Sequence, residues 1–367
     1  MSDELDQQRL ERYRELADEP YLGEVDPSVE PYVRATIDGG VNPAWYYHTY
    51  NGMFHAPERR DLDEVDLACV GIPMDLGTPN QRSGSRLGPR ELRTWSINQG
   101  PKNAETGVNP FELCRVADWG DVRLQRNPYD LETNIEELTD VYRAFRDADV
   151  VPLSIGGEHT ITYPILRALG EEEPLGLVHL DSHPDTRTGS YQGAPVNDGN
   201  LFTEAVCDGV IDPERSIQIG LRGRALLVSK FAEETGMTTV PATEFQERGV
   251  EDVLAEALDV IGDRPYYLTV DTDVFDPSAM PGTTLPEPFG LTGREVRDFL
   301  RGLRGTNLVG ADLVELSPNY DRTGQSGCLA AGIAFEQLCL LGEARAQRAG
   351  EQRLTEWEEP PVSPRAR

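Results

Sequence analysis

An α/β fold built on a mainly parallel sheet is expected here, on three grounds. From Asp66 onward, short apolar runs closed by Gly, Pro or Asp alternate with longer amphipathic stretches, as in successive βα units. The stretches have the length and apolar spacing of helices. No repeat of 20 to 50 residues points to a solenoid or propeller instead. The 367 residues are enough for one large or two ordinary domains, and 38% hydrophobic with 27% charged residues suits a folded chain.

Taken in order, residues 1–65 lack the alternation and form an N-terminal arm. Its start, Met1 to Glu19, is acidic and helix-like, without the basic and apolar regions of an export signal, so the chain is read as cytoplasmic. The segment Pro43 to Phe54 gathers Trp45, Tyr46, Tyr47, Tyr50 and Phe54, with His48 and His55 beside them. Such a cluster should cover the chain's own core or reach a neighbouring subunit. Residues 66–349 carry the alternation and are read as one domain. Strands are expected at 66–72, 150–155, 175–180, 216–219, 266–270 and 308–316, and helices at 131–147, 160–169, 250–261, 292–303 and 326–346. Residues 350–367 are a polar, Pro-rich tail. No uninterrupted apolar run approaches the roughly 20 residues of a membrane span.

Asp and Glu number 64 against 34 Lys plus Arg, a formal charge of -30, and Lys102 and Lys230 are the only lysines. That sign repels phosphate backbones and anionic headgroups, which argues against nucleic-acid or membrane-surface partners. An acid-rich, lysine-poor surface suits high salt, where the Debye length shrinks to about 3 Å and self-repulsion is screened. The five cysteines form no C-x-x-C pair, so neither a disulfide frame nor a zinc ribbon is signalled. Neither G-x-G-x-x-G nor G-K-[ST] is present, which leaves nucleotide binding unsupported.

In open α/β sheets, functional groups gather beyond the carboxyl ends of the strands. Three apolar runs end there in groups that bind metals: Gly156-Gly157-Glu158-His159, Asp181-Ser182-His183-Pro184-Asp185, and Asp271-Thr272-Asp273 followed by Asp276-Pro277. Alternate residues of an extended segment share a side, so Asp181, His183 and Asp185 can converge, as can Asp271 and Asp273. With His159 they make two imidazoles and four carboxylates. This donor set without thiolate suits a pair of divalent ions such as Mn²⁺ rather than structural zinc. A single D-x-D is more often a cap or turn, but four carboxylates brought together without a cation would repel and desolvate one another. His179 is read as alternating out of phase with the ligands and so as a core histidine.

These residues resemble the ureohydrolases: arginase, agmatinase and the guanidino-acid hydrolases. The resemblance spans about Gly71 to Leu340. Gly71-Ile72-Pro73-Met74-Asp75-Leu76-Gly77-Thr78 with Arg82-Ser83-Gly84-Ser85-Arg86-Leu87-Gly88-Pro89 points to the agmatinase-like branch, as does the run from Asp271 to Pro281-Gly282-Thr283-Thr284-Leu285-Pro286-Glu287. Asn109 to Cys114 and Ala117 to Asp121 look like the guanidino-acid and guanidine hydrolases. The resemblance implies a three-layer α/β/α fold like that of arginase, and two Mn²⁺. His159, Asp181, Asp185 and Asp271 would hold one ion, and Asp181, His183, Asp271 and Asp273 the other. Nickel would be accepted by the same ligands. Asp185 would shuttle a proton, Glu287 would grip the guanidinium, and Asp276 and Glu315 would stand at strand ends behind the ligands.

The sequence departs from the family pattern at Ser182, Glu158 and Leu285, and most at Asp198, where a proton-shuttling His is usual. Asp198 would relay protons through water or recognise a cationic substrate tail, or would mark an altered activity. The leading expectation is hydrolysis of agmatine to putrescine and urea. Guanidinobutyrate, guanidinopropionate or guanidine comes next, then a deacetylase-like amidase and a catalytically silent relative. The resemblance also implies a homo-oligomer, trimer or hexamer.

Overall fold

A computed structural model of the chain describes residues 2–18, 27, 30, 52–78, 82–189, 195–227 and 230–350. It divides into two units, Met1–Tyr50 and Asn51–Arg367. In the first, the expected acidic helix is α1 (Ser2–Ala17). Trp45, Tyr46, Tyr47, His48, Tyr50 and the tail beyond residue 350 lie outside the described residues.

The second unit carries eight strands: β1 (Leu67–Ile72), β2 (Val116–Asp121), β3 (Val151–Gly156), β4 (Leu175–Leu180), β5 (Ile211–Leu221), β6 (Thr238–Pro241), β7 (Tyr266–Asp271) and β8 (Leu308–Val314). They form one sheet in the order β2-β1-β3-β8-β7-β4-β5-β6. Every neighbouring pair is parallel. Six strands coincide with the expected runs. The two that do not, β2 and β6, are the sheet's edges. Edge strands are kept short or polar because an apolar edge invites pairing with other chains. VADWGD and TTVP therefore carry no apolar signal.

The helices of this unit continue the numbering: α2 (Gly88–Ser96), α3 (Pro110–Leu113), α4 (Leu131–Asp147), α5 (Thr162–Leu169), α6 (Leu201–Cys207), α7 (Lys230–Thr235), α8 (Ala242–Arg248), α9 (Val250–Ile261), α10 (Gly293–Gly302) and α11 (Gln325–Ala349). Alternation along the buried strands sorts them into two layers. Leu67 and Cys69 of β1 share one core with Leu92 of α2, Val253 of α9, Phe299 of α10 and Leu338 of α11. Ala68 and Val70 share the other with Leu138 of α4, Ile165 of α5 and Phe202 of α6. The result is the three-layer α/β/α arrangement.

Among the described residues α11 alone is long and apolar enough to cross a bilayer, although no uninterrupted apolar run of that length is visible in the sequence. In the fold, 78% of its most apolar window is buried. It is the core helix of one layer.

Residues 52–65, the described end of the expected arm, pack on the chain's own core, one of the two placements expected of the aromatic segment. Met53 N donates to Asp118 Oδ2 at 2.8 Å, Phe54 N to Ser96 Oγ at 3.1 Å and Arg59 N to the Asp118 carbonyl at 3.0 Å. The Phe54 ring lies 5.8 Å from that of Phe335.

Candidate metal centre

The carboxyl ends of β3, β4, β7 and β8 bring the expected residues together, and local turn chemistry aims them. Asp181 Oδ1 accepts from His183 N at 2.6 Å, Asp271 Oδ1 from Asp273 N at 2.7 Å, and Asp273 Oδ1 from Ser182 N at 2.9 Å. Each aspartate thus commits one oxygen to a backbone N–H where its strand breaks, and turns the other inward. Asp185 reaches in from a backbone with φ 48°, a left-handed conformation that Asp tolerates better than most side chains. Gly157 supplies the close approach expected of the Gly-Gly pair, since a Cβ there would lie 1.9 Å from the Met74 carbonyl oxygen.

The inward oxygens surround two imidazoles. His159 Nδ1 faces Asp181 Oδ2 at 3.1 Å, Asp185 Oδ2 at 3.1 Å and Asp271 Oδ2 at 3.5 Å. None of these is aligned for a hydrogen bond, so this buried nitrogen has no hydrogen-bond partner. His183 Nδ1 faces Asp273 Oδ2 at 2.9 Å and Asp181 Oδ1 at 3.5 Å. Ligand atoms of His159, His179, Asp181 and Asp185 fall close enough together to hold one ion, and those of Asp181, His183 and Asp273 a second. A ring nitrogen among carboxylate oxygens calls for positive charge there: burial opposes it, but Asp181, Asp185 and Asp271 favour a proton on the metal-free ring, and a metal ion would take that proton's place. The mixed nitrogen and oxygen donors fit a hard or borderline divalent ion.

The electrostatics tell the same story. Burial, with the charges of Asp273 and Asp181, pushes Asp271 well above the usual carboxylate range. Burial, with Asp271, Glu158 and Asp198, does the same to Glu315. Burial lifts Glu158 to about 7 against the hydrogen bonds of Thr160 and Gly77. It lifts Asp198 to about 8, helped by Asp185 and Glu158. Asp181 is the exception: burial opposes its charge, but His179, His159 and His183 hold it well below the usual range.

His179 is a core histidine as read from the sequence, but its phase differs from that reading. It is in phase with Asp181, two residues on, and donates from Nε2 to Asp181 Oδ2 at 2.7 Å while Nδ1 accepts from Gln218 Nε2 at 3.0 Å. Both nitrogens are satisfied, so it is a core histidine that orients Asp181.

The two glutamates occupy different depths. Glu315, 2% exposed, accepts from His159 N at 2.8 Å and from the Thr284 hydroxyl. Glu287 is half-buried, its carboxylate against Gly223, where φ is 60° and a Cβ would lie 2.5 Å from Oε2. Asp276 organises the Glu287 loop, accepting from Phe289 N at 2.9 Å and Gly290 N at 3.3 Å. Asp198, 6% exposed, is tied by its N–H to the Gly77 carbonyl at 3.2 Å.

Sequence reasoning missed Arg222. Its guanidinium, 6% exposed, donates to the carbonyls of Gly220, Asp273, Val274, Phe275, Glu287 and Pro288, at 2.6 to 3.2 Å. It staples the loop after β7 to the loop carrying Glu287. The available signal was an arginine directly after β5, at the same carboxyl ends.

The arginase family pattern matches residues 65–339. A guanidinopropionase of Pseudomonas aeruginosa is 42% identical over 295 residues, 80% of this chain and 92% of that one. The mitochondrial agmatinase of Gallus gallus is 39% identical over 292 residues, 79% of this chain and 85% of that one. Among solved structures, proclavaminate amidino hydrolase from Streptomyces clavuligerus superposes with a TM-score of 0.77 at 34% identity, covering 82% of this chain and 99% of that one.

Proposed function

This chain belongs to the arginase family and is a metal-dependent ureohydrolase, and from that premise we propose that it cleaves agmatine to putrescine and urea. The observation that carries the dimetal part of this reading is the buried His159 Nδ1, without a hydrogen-bond partner and facing three carboxylate oxygens. His159, Asp181, Asp185 and Asp271 would hold one Mn²⁺, and Asp181, His183, Asp271 and Asp273 the other. When bound, such ions supply Lewis-acid activation of water at neutral pH.

The protein's own groups do the rest. A guanidinium is a delocalised cation with a poorly electrophilic carbon and an amine leaving group, so orientation and proton delivery govern its hydrolysis. Glu315 and Glu287, at two depths, would grip the guanidinium by charge-assisted hydrogen bonds and fix its carbon for attack. Asp185 would carry a proton from the attacking water to the leaving amine. Asp198, beside Asp185 and Glu158 in charge, would attract the ammonium tail of agmatine or pass protons outward.

A second reading, a guanidino acid such as guanidinopropionate, is favoured by Arg187. Its guanidinium would lie 2.8 Å from a Cβ at Gly199 and exerts a counter-charge on Asp198, where it could meet a substrate carboxylate.

The test is urea release by manganese-loaded protein in molar salt. Agmatine, 4-guanidinobutyrate, 3-guanidinopropionate, guanidine and arginine are offered in parallel, then again with nickel. Agmatine turnover is expected. Turnover of a guanidino acid alone favours the second reading, and no urea from any substrate with two ions bound per chain overturns both.

A further inference from the structure

Thr269 on β7 and Asp312 on β8 are direct partners in register, and both are fully buried. Asp312 collects three hydroxyl donors: Thr269 on Oδ1 at 2.5 Å, and Thr162 at 2.6 Å and Tyr267 at 3.0 Å on Oδ2. A hydroxyl has one proton and a carboxylate none, so all three bonds run towards Asp312. The Thr269 proton is therefore engaged, and towards His159 Nε2, 2.9 Å away, Thr269 can only accept. Nε2 must carry hydrogen, which leaves the lone pair of the neutral ring on Nδ1. That is the nitrogen facing Asp181, Asp185 and Asp271.

We propose that Thr269 and Asp312 are positioning residues that lock the His159 tautomer, and so raise the affinity of the ion that His159 would share with Asp181, Asp185 and Asp271. The inference rests on the dimetal reading above. With no acceptor at Nε2, the three carboxylates would draw the ring proton to Nδ1, where it would stand in the ion's place. Carboxylates that orient metal-bound histidines usually touch the ring directly. Here a threonine hydroxyl stands between, and the carboxylate is itself fixed by two further hydroxyls. Tyr267 and Thr162 so belong to the same device, one link further from the ring.

The test titrates Mn²⁺ into chelator-stripped wild type, Thr269→Val and Thr269→Ser, with calorimetry for affinity, elemental analysis for stoichiometry and thermal melting of the metal-free form. Wild type should bind two ions per chain. Thr269→Val should bind one of them about 10- to 100-fold more weakly, the range typical of lost orienting partners, and Thr269→Ser should restore it. A purely structural role would lower the metal-free melting point of Thr269→Val and leave both affinities unchanged, which would overturn the relay alone. Wild type without bound metal would overturn the dimetal reading as well. Should Thr269→Val not fold, ¹⁵N-histidine spectra of zinc-loaded wild type, with His159 assigned from His159→Asn, decide: hydrogen on Nε2 is expected, and hydrogen on Nδ1 overturns the proposal.

Discussion

Two acidic clusters lie along this sheet, one around buried Asp66 and Asp118 with the more exposed Asp121 and one at the candidate metal centre, and they are balanced in opposite ways. At the β1–β2 edge each aspartate has an arginine. Arg93 donates to both oxygens of Asp118, at 3.0 and 3.1 Å, and pairs with Asp121, while Arg115 holds Asp66 at 2.8 and 3.2 Å. At the ends of β3, β4, β7 and β8, no lysine or arginine among the described residues pairs with Asp181, Asp185, Asp271 or Asp273. Arg222 stands at the same strand ends, and its donors go to carbonyls. A buried charge needs a counter-charge. One cluster is balanced by arginines, and the other has only imidazoles beside it among the described residues, so that metal ions would complete its balance.

That contrast breaks most sharply at the second cluster. Asp271→Ala or Asp273→Ala should reduce urea release below detection and lower the bound metal from two ions per chain, by elemental analysis, with the fold kept. The next largest effect lies in the first cluster. Arg93→Met leaves Asp118, 3% exposed, as a buried carboxylate without its partner, which should cost about 3–5 kcal/mol in denaturant unfolding. The metal count should not change. If it does, the two clusters are coupled and the contrast fails.

Smaller effects sharpen the comparison. Arg222→Lys keeps the charge but cannot span the loops that the guanidinium joins. It should lower kcat/KM on the order of 10- to 100-fold through misplacement of Glu287, with both ions retained. The smallest effect is on pH dependence. In metal-free protein Glu158 and Asp198 titrate near 7 and 8, above any unfolded carboxylate. The native state therefore binds more protons than the unfolded chain between about pH 4 and pH 8, and stability is lost as pH rises through that window. The melting point of chelated protein should fall by a few degrees between pH 5 and pH 9, and Asp198→Asn should flatten the upper part. Metal-loaded protein should show the opposite slope, because protons compete with the ions.

Much of this was legible in the sequence. The strand-end rule located His159, Asp181, His183, Asp185, Asp271 and Asp273, because a parallel sheet forces each apolar run to deliver the next residues to the same edge. The edge strands were not legible, since their polarity is what an edge requires. His179 is the core histidine the sequence suggested, but it stands on the same side as Asp181 rather than out of phase with it, since residues two apart in a strand share a face. Thr269, Asp312 and Arg222 were invisible for another reason. Most of their partners, the Asp312 carboxylate and His159 ring for Thr269, the hydroxyls of Thr162, Tyr267 and Thr269 for Asp312, and the loop carbonyls for Arg222, lie far away in sequence, and local pattern carries no trace of them.

The strand order also bears on how the molecule is made. β1, β2 and β3 form one side of the sheet and β4 to β7 the other, and only β8, the last of the eight to leave the ribosome, joins them. His159 follows β3, whereas Asp181 and Asp271 follow β4 and β7. Until residues 308–314 insert, β3 and β7 expose open edges and the histidine cannot meet its aspartates. Such late, long-range closure is slow and prone to misassembly. Ions that bridge His159 to Asp181 and Asp271 would therefore bind fully only after β8 has joined the two sides of the sheet.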